Sequence, residues 1–161
     1  MRPSKKGIWV GILFMLTALI LPPSVRAQDD HQIVPGQSVG PIRIGMSSQA
    51  LYKLMGEPTE SQLGESGRVY FWGELQVYVD SASNTVSWMR TSRPQDALGS
   101  GVTIGSSLLA LQAIKTAPPR WTKTIDQGAD ALEYCYDDGL IVASLRGKVS
   151  GFTVVSPGCS N

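Results

Sequence analysis

The sequence predicts an α+β fold: two tandem repeats, each a short strand, one helix and a three-stranded antiparallel meander, packed into one domain. Three observations lead there. The segment Val39–Pro58 (VGPIRIGMSSQALYKLMGEP) is echoed by Gly101–Pro119 (GVTIGSSLLALQAIKTAPP). Each copy is followed by short runs alternating apolar and polar residues, the period of a half-buried strand. Residues 28–161 are enough for one shared core, whereas either half alone buries too little surface for comfortable stability.

Residues 1–27 read as a signal peptide. Arg2, Lys5 and Lys6 form a basic start, Gly7–Leu21 (GIWVGILFMLTALIL) an apolar stretch, Pro22 and Pro23 a break, and Val25-Arg26-Ala27 a cleavage site. The apolar run is shorter than the roughly 20 residues of a membrane span. Residues 28–38 (QDDHQIVPGQS) form a flexible leader.

The first repeat covers 39–92. VGPIRIG is extended, with Pro41 requiring an edge or a bulge. Ser47 or Ser48 caps a helix whose Leu51, Leu54 and Met55 share one face, and Gly56 with Pro58 ends it. Arg68–Trp72, Leu75–Asp80 and Thr85–Thr91 follow as strands, joined at Gly73-Glu74 and at SASN. Residues 93–97 are a linker of turn formers. The second repeat, 98–156, aligns Ile104-Gly105-Ser106-Ser107 with Ile44-Gly45-Met46-Ser47, and Leu111 with Leu51. Its helix stops at Pro118-Pro119, and its strands are Ala131–Tyr136, Leu140–Leu145 and Lys148–Val155, with Asp137-Asp138-Gly139 as a hairpin turn. Residues 157–161 form a tail containing Cys159.

Charge and motif content narrow the chemistry. Without the signal segment, ten basic residues face 13 acidic ones, a net charge of −3, and no basic run remains. Nucleic acid and anionic membranes thus lose their electrostatic handle, and no stable membrane insertion is expected after signal cleavage. His31 is the only histidine and lies in the leader; neither HExxH nor CxxC occurs, and no serine is read as a nucleophile elbow with a partner base. Gly99-Ser100-Gly101 lacks the context of a phosphate loop, and Asp80–Asn84 (DSASN) lacks the acidic residue that completes a calcium loop. The carboxylate groups Asp137-Asp138 and Asp126 with Asp130 lie in turns and loops, with no apolar setting to part their pKa values. No catalytic residue, metal site or cofactor is predicted. Cys135 and Cys159 are the only cysteines, and in an exported chain they are expected to pair.

Aromatic placement is the informative feature. With Leu75, Val77 and Val79 turned to the helix, Tyr78 faces away, as do Trp88 and Arg90 of the next strand. Tyr70 and Trp72 share a face opposite Val69 and Phe71 and are expected to join them. Tyr70, Trp72, Tyr78, Trp88 and Arg90 are therefore the candidate protein contacts, being the residue types that anchor interfaces. Two readings of this face stand at this point: a docking surface, or a second core layer covered by the other repeat.

The pattern in VGPIRIGMSSQALYKLMGEP, glycine-methionine-serine, helix, then glycine-x-proline, resembles that of the small outer-membrane assembly lipoproteins. It is also similar to the tandem-repeat β-lactamase inhibitory proteins. The resemblance implies a helix-plus-meander module and, in the inhibitors, a curved sheet whose aromatic face clamps a partner protein. This chain lacks the lipoproteins' anchoring cysteine, and its repeats carry one helix where the inhibitors' carry two. The expected function is an exported, periplasmic or secreted, non-catalytic module binding an envelope or extracellular protein, as adaptor or inhibitor. The alternatives are a binder of cell-wall glycan or an amphiphile through the same rings, and an unrecognised hydrolase.

Overall fold

The structure, a computed structural model, describes residues 30–126 and 130–158. The expected signal segment and Cys159 lie outside the described residues. In chain order the elements are β1 (Gln32–Val34), β2 (Ser38–Val39), β3 (Ile42–Arg43), α1 (Ser48–Met55), β4 (Glu60–Leu63), β5 (Gly67–Trp72), β6 (Leu75–Asp80), β7 (Thr85–Thr91), β8 (Ala97–Leu98), α2 (Leu108–Ile114), β9 (Trp121–Asp126), β10 (Ala131–Tyr136), β11 (Leu140–Leu145) and β12 (Lys148–Val155). This corrects the expected α+β class and its two helix-plus-meander repeats. The helices span only eight and seven residues, and strands dominate the described chain.

Two sheets carry the fold, an eight-stranded one in the order β4-β5-β6-β7-β12-β11-β10-β9 and a four-stranded one in the order β3-β2-β1-β8. The large sheet contains two consecutive antiparallel runs of four strands, not three, and they join where β7 pairs with β12. The additional strands, β4 (ESQL) and β9 (WTKTID), escape the alternation pattern because they are its edges. Every residue of β4, and every residue of β9 except Trp121, is exposed. A strand wet on both faces has no need of apolar residues on either, so its period-2 signal fades.

The small sheet corrects a second expectation. Residues 30–38 are not a loose leader: β1 pairs antiparallel with β2 and parallel with β8, and Ile33 is buried. The linker segment takes part too. Asp96 has a fully buried carboxylate that accepts hydrogen bonds from the Thr91 hydroxyl and Arg93 Nε, with His31 Nδ1 3.2 Å away. The Ala97 N–H donates to the His31 carbonyl, completing the joint. One buried charged residue of the linker thus fastens the amino-terminal strand to the crossover between the two halves of the large sheet.

Each helix is seated on its half in the same way. Ser47 and Ser107 cap α1 and α2, accepting from Ala50 N–H and Leu109 N–H. Gly45 N–H donates to the Val86 carbonyl and Gly105 N–H to the Val149 carbonyl, each at 2.8 Å. In return Val86 N–H donates to Met46 and Val149 N–H to Ser106. Both glycines have positive φ, +80° and +86°, which only glycine adopts without strain. The Ile-Gly-x-Ser sequence therefore docks each helix start onto the last strand of its run. Leu51 and Leu111 are fully buried beneath the helices. Leu54, expected on the same face as Leu51, is 45% exposed, because so short a helix lays down little more than one row of side chains. Both helices and both sheets contribute to a single core cluster that includes Ile33, Val39, Leu51, Val77, Met89, Leu111, Val142 and Phe152.

Two outcomes follow from these joints. Asp96→Asn removes a charge from a fully buried site and leaves Arg93 uncompensated, so stability should fall by about 3 kcal/mol in urea denaturation; a loss below about 1 kcal/mol would mean the pin is ornamental. On the other flank, Tyr52 of α1 meets Tyr70 of β5 edge to face at 5.4 Å. Its hydrogen bond to Tyr70, with lesser help from burial, pushes its pKa up to about 12 from 10.0. The neutral phenol is the favoured form, so this contribution is complete below pH 10 and disappears as pH rises through 12. Wild type should lose stability across that interval more steeply than Tyr52→Phe, and parallel alkaline curves would refute the coupling.

Candidate functional site

Cross-strand partners in an antiparallel sheet point to the same face, so the register sorts the large sheet into two surfaces. Leu75, Val77 and Val79 of β6, Met89 of β7, Phe152 and Val154 of β12, and Val142 of β11 face the helices and are buried. The opposite face carries Val69 and Phe71, Gln76 and Tyr78, Trp88 and Arg90, Thr153 and Val155, and Ile141. All of these are half-buried.

Three of the five expected contacts, Tyr78, Trp88 and Arg90, share this opposite face. Tyr70 and Trp72 do not: Tyr70 pairs with Val77 and Trp72 with Leu75, so both point toward the helices and pack against the core. The physical reason is the two-residue turn at Gly73-Glu74. Such a turn places the residues on either side of it opposite each other, and Leu75 belongs to the core. Val69 and Phe71, partners of Tyr78 and Gln76, take the places expected for Tyr70 and Trp72. The turn length together with buried Leu75 was the signal that assigns them.

Tyr78 and Trp88 stack in parallel, with centroids 5.5 Å apart and planes 4° from coplanar. The Tyr78 hydroxyl is fixed by Ser66 Oγ at 2.8 Å. Its ring lies over Gly67, where a Cβ would come within 2.7 Å of the ring carbon and 2.2 Å of a backbone oxygen. Glycine there is what lets the tyrosine lie flat and offer its face to the indole.

Next to this stack, Arg90 spans the junction of the two strand runs. Nε donates to Thr153 Oγ1 at 3.0 Å, and Nη2 donates to Glu133 Oε1 on β10. The residues of β11 and β12 in register with Glu133 are Ala143 and Gly151, whose lack of bulk leaves space for the guanidinium to reach across. Arg90 keeps 43% of its side chain exposed, and Glu133 only 14%. Trp88, Arg90, Ile141, Thr153 and Val155 enclose a shallow groove of about 270 Å³. Farther along the same face, Cys135 is fully buried opposite Trp121.

Several charged groups elsewhere are paired within the fold. Asp138 pairs with Lys115, whose ammonium also sits 4.7 Å from the centroid of the Tyr136 ring, and Asp137 pairs with Arg120. Burial, with a smaller push from Tyr134 and Asp138, raises the Tyr136 pKa. These groups border a cleft of about 470 Å³ between the end of α2 and the β10–β11 turn, lined among others by Leu98, Ile114 and Pro118. Asp80 accepts from the backbone and hydroxyl of Ser83, which lower its pKa and close the turn between β6 and β7. Among the described residues, no three of His, Cys, Asp and Glu converge as metal ligands would, and no helix is long and apolar enough to cross a membrane.

No protein-family model matches the chain, and no curated protein matches it. Among solved structures it is similar to the uncharacterized protein yfeY from Escherichia coli, with a TM-score of 0.50 and 16% identity over 76% of this chain and 98% of that one. It is also similar to an extracellular protein containing a SCP domain from Bacillus anthracis, with a TM-score of 0.48 and 13% identity over 70% of this chain and 44% of that one. At such identities the likeness to yfeY speaks to fold alone.

Proposed function

We propose that the chain is an exported, non-catalytic module that binds a protein through the second face of its eight-stranded sheet. The observation that carries this reading is the division of the sheet. One face is buried under the helices and the small sheet, while the other holds a Tyr78–Trp88 stack, Phe71, Ile141, Val155 and Arg90 in a half-exposed array. Aromatic residues and arginine set among aliphatic ones make up the composition of interface cores. The contacts are Tyr78, Trp88 and Arg90, with Val69 and Phe71 at their side; Tyr70 and Trp72 serve the interior.

Export rests on the sequence of residues 1–27, and with it the proposed Cys135–Cys159 disulfide. Alkylation of the mature chain should label neither cysteine before reduction and both after it; two labelled thiols in the untreated protein would end that proposal. Reduction should cost about 3 kcal/mol of stability, following the closure entropy of a short loop.

For the face itself, the test is capture of a partner from the native envelope by the mature chain. Truncating a ring at the centre of an interface typically costs 2 kcal/mol or more, so Trp88→Ala should weaken capture by about 30-fold or more with the far-UV spectrum unchanged. Leu109→Ala, altering an exposed residue of α2, should leave it intact. Equal capture by wild type and Trp88→Ala would overturn the reading.

A further inference from the structure

The groove beside Trp88 has a chemistry of its own, and the inference drawn from it rests on the reading of this face as a protein-binding surface. We propose that it is the anchor point of the interaction and that it takes a carboxylate of the partner protein, an acidic side chain or a chain terminus, carried beside an aliphatic group.

The argument begins with Arg90. Two of its nitrogens are held, Nε by Thr153 and Nη2 by Glu133, so the guanidinium plane is fixed before any partner arrives. Among the described residues no acceptor engages Nη1, and the side chain is 43% exposed. A fixed guanidinium with open N–H donors favours a planar anion, and it loses little conformational freedom on binding.

Local charge points the same way. Glu133 already neutralises one cation, but its register partner on β9 is Lys123. Arg90, Glu133 and Lys123 thus place one anion between two cations, and the other carboxylates in register with this face, Glu60 opposite Phe71 and Asp126 opposite Ala131, stand on the edge strands. Asp80, the carboxylate of β6 on this face, is turned into its own loop by Ser83.

Shape selects what accompanies the anion. Trp88, Ile141 and Val155 give the groove apolar walls, while Thr153 supplies the hydroxyl that holds Arg90. At about 270 Å³ the groove falls below the roughly 300–1,000 Å³ of small-molecule pockets. It has room for one anchoring residue of a larger partner, not for an enclosed cofactor. A bare phosphate would leave the apolar walls uncovered, and an aliphatic side chain alone would leave the guanidinium unanswered.

The test uses the mature chain, ¹⁵N-labelled, with the Trp88 indole N–H resonance assigned through Trp88→Phe. N-acetyl-leucine, its neutral amide N-acetyl-leucinamide, and inorganic phosphate are titrated separately. The acid should move the resonance saturably, while the amide and phosphate move it at least tenfold less at equal concentration. Arg90→Gln should abolish the preference for acid over amide. Arg90→Lys, which keeps the charge but not the fork, should weaken acid binding about tenfold. A retained fold in both variants is checked by the dispersion of the other amide resonances. Equal responses to acid and amide, a stronger response to phosphate, or an unchanged preference in Arg90→Gln would each overturn the assignment. These results are separable from those of partner capture. Capture that depends on Trp88 without acid preference leaves the face standing and removes the anchor, whereas capture indifferent to Trp88 removes the face.

Discussion

Four residue pairs join β7 to β12, and the strand parity at this seam sets both the interior and the outer surface. Phe152 lies opposite Thr91 and Val154 opposite Met89, and all four side chains are fully buried under the helices. The alternate pairs, Thr153 with Arg90 and Val155 with Trp88, point the other way and form most of the groove. Because side chains alternate strictly along a strand, a slip of one residue in this register would exchange the two sets. Phe152 would move to solvent, and Arg90 would be driven into an apolar core. The same hydrophobic burial that fixes the seam therefore also aims the guanidinium and the indole. No separate device is needed to position them.

A sheet of eight strands is wider than two helices of two turns can cover. The small sheet supplies the missing cover: Ile33, Val39, Ile42 and Leu98 enter the core cluster alongside Leu51 and Leu111. Its strands are only two or three residues long, and the Asp96 joint adds to this burial in holding it in place. A buried carboxylate is costly unless it is paired and hydrogen-bonded. Asp96 receives Thr91, Arg93 and His31 at once, and the requirement for all three fixes how the amino-terminal strand meets the crossover. With the covering layers committed to one face, the other keeps a half-exposed aromatic surface.

Sequence reading reached the central strands and both helices because their burial writes a pattern. LQVYVD and LIVASL alternate since one face of each is dry, and the Ser47-Ser48 pair marks the first helix start since orphan N–H groups need acceptors. The same reading is blind where burial is absent or is supplied from a distance. β4 and β9 carry no alternation, and the three strands of the leader and first extended run are too short to show any. Ile33 is a single apolar residue whose burial depends on pairing with both β2 and β8, which no local window contains. As a result the strand content was underestimated and the fold class with it. The aromatic face was legible in part: Tyr78, Trp88 and Arg90 follow from parity within their own strands. Tyr70 and Trp72 required carrying parity across a turn, and Gly73-Glu74 transmits it with the opposite sign to the one expected. Arg90's reach to Glu133 crosses two intervening strands and depends on Ala143 and Gly151 being small, which is a property of sheet order and not of sequence spacing.

An open sheet has two edges as well as two faces, and the edges are the customary hazard, since their free N–H and C=O groups can recruit any extended chain. Here both are blunted. β4 has four residues, with Pro58 just before it. β9 carries Lys123 and an irregular register against Ala131 and Leu132, a bulge that bends the outer strand and interrupts the spacing a partner strand would need. Neither edge offers a long regular run for strand addition. The second face differs in kind: it presents side chains, not backbone, and its rings and guanidinium are held by Ser66, Gly67, Thr153 and Glu133. Recognition by side chains on a rigid sheet selects a partner by shape and charge, whereas edge pairing accepts nearly any strand. A fold that suppresses its edges and keeps an ordered aromatic face is built for the selective kind of contact.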